Sequence, residues 1–103
     1  MKKIGLHLEW ASYPLCELDE GGYIIDDIDP EELGLSNEVC KKIQLLQDMY
    51  DELFVNTSKE FLYIGYKFPQ KINTIKKLYD DVANELNELL GKKCKIEVKK
   101  LDI

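Results

Sequence analysis

Ile4, Leu6, Leu8 and Trp10 alternate with Gly5, His7 and Glu9, the two-residue period of a strand with one buried face. Tyr13-Pro14 interrupts it. Leu15–Leu18 and Tyr23–Ile25 then flank Asp19-Glu20-Gly21-Gly22, a hairpin signature in which glycine supplies the positive φ of the turn. A three-stranded antiparallel meander is predicted. Within Ile28–Gly34, Asp29 is a capping residue, Pro30 fits the first helical position and Gly34 stops the turn almost at once. One helical turn is expected there, with Asp29, Glu31 and Glu32 close together.

Beyond Ser36, a second capping residue, the period changes. Val39, Ile43, Leu46, Tyr50 and Leu53 recur at steps of four and three, with Leu45, Met49 and Phe54 widening the stripe. This predicts a long helix ended by Asn56-Thr57-Ser58. The aromatic run Phe61–Phe68 fits either a short edge strand or a packed loop. From Pro69, a second long helix carries Ile72, Ile75, Tyr79, Val82, Leu86 and Leu89 on its core side, with Gly91 at its C-terminus. Cys94, Ile96 and Val98 then alternate with Lys93, Lys95, Glu97 and Lys99, a last strand with charge on its outer side. The expected fold is α+β: a small antiparallel sheet with two long helices on one face, in the order β-β-β-α-α-β. Its length of 103 residues fits one domain, 1–103, because two separate cores would each be too small to close.

Several chemistries are disfavoured by composition. Cys16, Cys40 and Cys94 are an odd, widely spaced set, which fits a reducing compartment better than a disulfide scaffold. With His7 as the only histidine and no close cysteine pair, no metal centre is expected. Asp26-Asp27-Ile28-Asp29 resembles part of a calcium loop, but counting from Asp27 the sixth position is Glu32 where glycine is required. No cofactor motif is present, and no catalytic set is visible. Alternation puts His7 on the side away from Leu6 and Leu8, facing solvent, without an orienting partner. No stretch is long and apolar enough for secretion or for a membrane span, so a cytoplasmic protein is expected.

Charge is the unusual feature. The net charge is −6, and no lysine occurs from Ile4 to Val39, a stretch that contains Glu9, Glu17, Asp19, Glu20, Asp26, Asp27, Asp29, Glu31, Glu32 and Glu38. The chain has no arginine, so it lacks the bidentate grip on phosphate, and this third cannot bind nucleic acid directly. Trp10, Tyr13 and Tyr23 lie among the carboxylates. Aromatic anchors ringed by carboxylates suit a positively charged protein partner. The candidate partner-binding residues are therefore Glu9, Trp10, Tyr13, Glu17, Asp19, Glu20, Tyr23, Asp26, Asp27, Asp29, Glu31 and Glu32.

Leu8-Glu9-Trp10-Ala11-Ser12-Tyr13-Pro14-Leu15, followed by Leu18–Asp26, Leu33 and the helical segment ending Tyr50-Asp51-Glu52-Leu53-Phe54, carries a resemblance. Over its first half the chain resembles small bacterial immunity proteins that neutralise the C-terminal toxin domains of contact-dependent growth inhibition and related polymorphic toxin systems. The second half is similar only in its helix-then-strand ending. The resemblance implies a cytoplasmic, non-enzymatic inhibitor that covers the active site or substrate channel of a cognate toxin domain, often a basic nuclease. Two other readings are a non-enzymatic adaptor or oligomer subunit, and a small hydrolase using His7.

Overall fold

The computed structural model describes residues 2–101 and 103; Met1 and Asp102, both within the expected domain 1–103, lie outside the described residues. Strands β1 (Lys2–Leu6), β2 (Leu15–Leu18) and β3 (Ile24–Asp27) form the expected meander. Asp29 accepts a hydrogen bond from the Glu31 N–H and opens the one-turn helix Pro30–Leu33, which Gly34 ends at φ 72°. Helix α1 runs from Asn37 to Asp51, with the Ser36 hydroxyl accepting from the Val39 N–H. A hairpin of β4 (Phe54–Asn56) and β5 (Phe61–Tyr63) precedes α2 (Pro69–Leu90), and β6 (Cys94–Val98) completes the order. The α+β reading and its element order hold.

Several details differ from expectation. The sheet order is β3-β2-β1-β6, and β6 pairs with β1 in parallel, from Lys2↔Cys94 to Leu6↔Val98. The sheet is thus mixed, because α2 returns the chain beside the start of β1. Leu53 and Phe54 lie beyond α1 rather than on it, since the helix ends at Asp51 and the chain turns into the hairpin. Leu53 stays fully buried and its carbonyl accepts from Ile64 N–H, so its apolar character serves the turn. Finally, Leu45 and Leu89 are exposed, and Leu90 takes the buried position on α2.

Ile4, Leu6 and Leu15 meet Ile43 and Leu46 from α1 and Ile75, Val82 and Leu86 from α2 in the core on one face of the sheet. The opposite face is buried at its centre as well. Register places Gly5 beside Cys16 and Lys3 beside Leu18 there, and both Cys16 and Leu18 are buried. A Cβ on Gly5 would come within 3.0 Å of Cys16 Sγ and 3.1 Å of a Leu18 methyl, so the missing side chain permits this packing. Lys99 Nζ, two strands away, donates to Gly22 O at 3.5 Å, and Lys3 Nζ donates to Glu20 O at 3.3 Å. The β2–β3 turn therefore folds over this face. His7 shares that side by alternation and is buried rather than solvated.

Candidate functional site

The segment from His7 to Pro14 leaves β1 and returns into β2, and α1 holds it in place. Gln47 Nε2 donates to Glu9 O and to Asp51 Oδ1, each at 2.8 Å, and Asp51 Oδ1 also accepts from Ala11 N–H at 3.0 Å. These bonds fix Ala11 at φ 51°, in the left-handed region that residues with a Cβ rarely occupy. Trp10 turns toward the β4–β5 hairpin, its ring centroid 5.5 Å from Phe54 and 5.2 Å from Phe61. It is half-buried, so it braces the hairpin instead of standing free as an anchor.

On the other side of this segment is a cleft of about 550 Å³, lined by residues 11–14, by Asp29, Pro30 and Glu31, and by one side of α1 including Lys41, Gln47 and Asp51. Three of the sequence-predicted residues, Tyr13, Asp29 and Glu31, converge here from two connections. Glu9 adjoins them through its carbonyl bond to Gln47. Cys40, half-buried in the wall, has its thiol pushed up by desolvation first and then by the charges of Glu31 and Asp29. Glu32 lies one residue on, exposed.

The other predicted residues take up different positions. Asp26 and Asp27 lie on β3, the free edge of the sheet, where all four residues are exposed. Asp26 Oδ1 accepts from Asp27 N–H at 2.9 Å. Asp19, Glu20 and Tyr23 form the turn at the start of that edge, with Asp19 Oδ1 accepting from Tyr23 N–H at 2.9 Å. Tyr23 is 75% exposed and Tyr13 53%, so both are free to make contacts. Glu17 differs. Its register partner is Ile4, and its carboxylate meets Lys2 at 3.2 Å, so it contributes little free charge.

Gln47 and Asp51 were not among the partner-binding candidates read from sequence. Nor was the apolar patch of Phe61, Leu62, Tyr63, Tyr66 and Phe68, which is exposed beside Trp10. His7 lies outside the cleft wall, and its Nδ1 is 4.0 Å from Glu9 Oε1, beyond hydrogen-bond reach. Among the described residues, no three His, Cys, Asp or Glu side chains are placed to hold a metal ion. No helix among them is long and apolar enough to cross a membrane. The chain matches no protein-family model, and no curated protein is significantly similar to it.

Proposed function

We propose that this protein is an immunity protein that binds a cognate toxin domain and neutralises it by covering its positively charged substrate-binding surface. The observation that carries this reading is the separation of charge. Among the described residues, only Glu17 of the twelve candidates forms an ion pair with a lysine. Lys95, the one lysine within β6, lies at one edge of the sheet and the carboxylates of β3 at the other, while Lys3 and Lys99 reach backbone carbonyls of the β2–β3 turn rather than its carboxylates. An acidic border results. It runs from Asp19 and Glu20 along Asp26 and Asp27 to Asp29, Glu31 and the cleft, with Tyr13 and Tyr23 exposed along it.

Such a border attracts a basic surface before contact, and steering of this kind raises association rates by about ten- to a thousandfold. Tyrosines supply apolar area at small cost in conformational entropy, and carboxylates take the places that phosphates occupy on a nuclease. Inhibition is then steric and electrostatic, with no chemistry on the inhibitor's side. The test is co-purification with the C-terminal domain of the protein encoded immediately upstream, together with rescue of cells expressing that domain. Binding and rescue are expected. Failure of both overturns the proposal.

A further inference from the structure

Among the described residues, both sheets end in strands paired on one side only: β3 and β6 in the four-stranded sheet, β4 and β5 in the hairpin. An exposed apolar strand edge is a template for another chain, and proteins that stay monomeric blunt it with charge. β3 is blunted in this way, since it carries Asp26 and Asp27, and the Asp26 carboxylate takes the Asp27 N–H. Two β3 strands brought together about a twofold axis would set these carboxylates against each other. β6 carries Lys95 and Glu97, and Val98 is its one exposed large apolar residue. β4 presents half-buried Phe54 and Val55 and the polar Asn56. β5 is different: Phe61-Leu62-Tyr63 has no charge, and all three side chains are exposed.

The hairpin register fixes what that edge offers. Ile64 N–H donates to Leu53 O and Thr57 N–H to Glu60 O, so alternation turns the backbone groups of Leu62 toward β4 and those of Phe61 and Tyr63 outward. The edge is also preformed. Phe61 stacks on Phe54 with ring centroids 5.3 Å apart, and Trp10 abuts Phe61 at 5.2 Å, so little ordering is needed on binding. Phe61, Leu62, Tyr63, Tyr66 and Phe68 are each 39–71% exposed, which leaves an apolar surface of about 500 Å². Covered on two copies, this comes to about 1,000 Å², the lower bound of a specific interface. Antiparallel pairing also sets Glu60 of one copy at the end where the other carries Lys67, so opposite charges flank the contact.

We infer that β5 is a self-association edge: two copies of this chain pair β5 to β5, antiparallel, about a twofold axis through Leu62, and join two hairpins into one four-stranded sheet. Phe61 of each copy exchanges backbone hydrogen bonds with Tyr63 of the other. The two Leu62 residues face each other as the non-hydrogen-bonded pair, with Cα atoms about 4.5 Å apart. A self-complementary contact of this kind closes at two copies. Its size sets a weak dimer, with a Kd on the order of 10–100 μM. Residues 54–68 neither line the cleft nor belong to the acidic border, so the dimer leaves both borders open and is independent of the function proposed above.

The experiment uses the whole protein and needs no toxin. In sedimentation equilibrium the average mass is expected to rise from one copy toward two over about 5–500 μM, the range that spans this Kd. Leu62→Lys sets two cations across the axis and is expected to weaken association about tenfold or more with an unchanged circular dichroism spectrum, whereas Ile25→Lys on the β3 edge leaves association unchanged. Leu62→Cys tests the register without adding charge. Mild oxidation is expected to link it as a dimer, because Cα atoms about 4.5 Å apart lie within disulfide range, while wild type and Ile25→Cys stay unlinked. Should Leu62→Lys fail to fold, the wild-type mass and the Leu62→Cys cross-link decide. A mass that stays at one copy throughout, association lost in Ile25→Lys instead of Leu62→Lys, or Leu62→Cys linked no more than Ile25→Cys overturns the proposal.

Discussion

Replacing Asp51 with alanine removes the acceptor that ties the segment after β1 to α1. Two hydrogen bonds disappear, from Ala11 N–H at 3.0 Å and Gln47 Nε2 at 2.8 Å. Hydrogen bonds to a charged partner contribute about 1.5–3 kcal/mol each when well buried. Asp51 is half-buried and Ala11 is exposed, so the released N–H is hydrated and the lower end applies, about 2–3 kcal/mol for the pair. One gain offsets this. Asp51 is the last residue of α1, where negative charge opposes the helix dipole by about 0.3–1 kcal/mol. The net expected loss is about 1.5–2 kcal/mol. Urea unfolding followed by circular dichroism then shows a midpoint lowered by roughly 1 M, for a slope of about 1–2 kcal/mol/M. Asp51→Asn keeps one accepting oxygen and loses about half as much. An unfolding free energy for Asp51→Ala within about 0.5 kcal/mol of wild type would refute the latch.

Leu86 is fully buried and Leu89 is 55% exposed, so Leu86→Ala lowers stability by about 2–4 kcal/mol while Leu89→Ala changes it by less than about 0.5 kcal/mol in the same urea assay. Ala11 sits at φ 51°; Ala11→Gly relieves a left-handed strain of about 1 kcal/mol against a similar gain in unfolded-state entropy, and its stability stays within about 0.5 kcal/mol of wild type. The Tyr79 hydroxyl lies 2.9 Å from Leu6 O and 2.6 Å from Lys99 O, and burial pushes its pKa up to about 12. The folded state therefore holds this proton more tightly than the unfolded chain. That stabilisation is complete below pH about 10, the unfolded tyrosine value, and is lost as pH rises toward about 12, on the order of 2–3 kcal/mol. Tyr79→Phe, about 1–2 kcal/mol less stable at neutral pH, lacks that component of alkaline destabilisation. Equal alkaline slopes for the two proteins would contradict it.

The sequence pattern reached the meander, both helices and the final strand because each buries one face and repeats with its own period. It failed where a single residue type serves two geometries. Leu53 continues the helical stripe from Tyr50 and is fully buried, yet it lies in the turn after the helix. Spacing carries no mark of that difference, since a buried leucine looks alike in either setting. His7 was misplaced because alternation says which side a residue takes, and nothing local says that this side is buried at His7 as well. The parallel pairing of β6 depends on where α2 ends in space. Of the site, the carboxylates were legible as composition, whereas their division among cleft, edge and turn was set by long-range packing. Trp10 read as an exposed anchor and proved a brace, because its partners Phe54 and Phe61 lie more than forty residues away. One signal for Gln47 was available: it sits between Leu46 and Tyr50 inside the buried arc of α1, where a polar side chain must find partners.

The account turns on an unneutralised acidic border that draws in a basic protein. Stopped-flow association of the chain with its upstream-encoded toxin domain, across a salt series, measures that attraction directly. Neutralising the border as Asp26→Asn/Asp27→Asn/Asp29→Asn/Glu31→Gln should slow association on the order of tenfold at low salt, flatten the salt dependence, and leave rates converging with wild type at high salt. Association rates and salt slopes identical to wild type would contradict it.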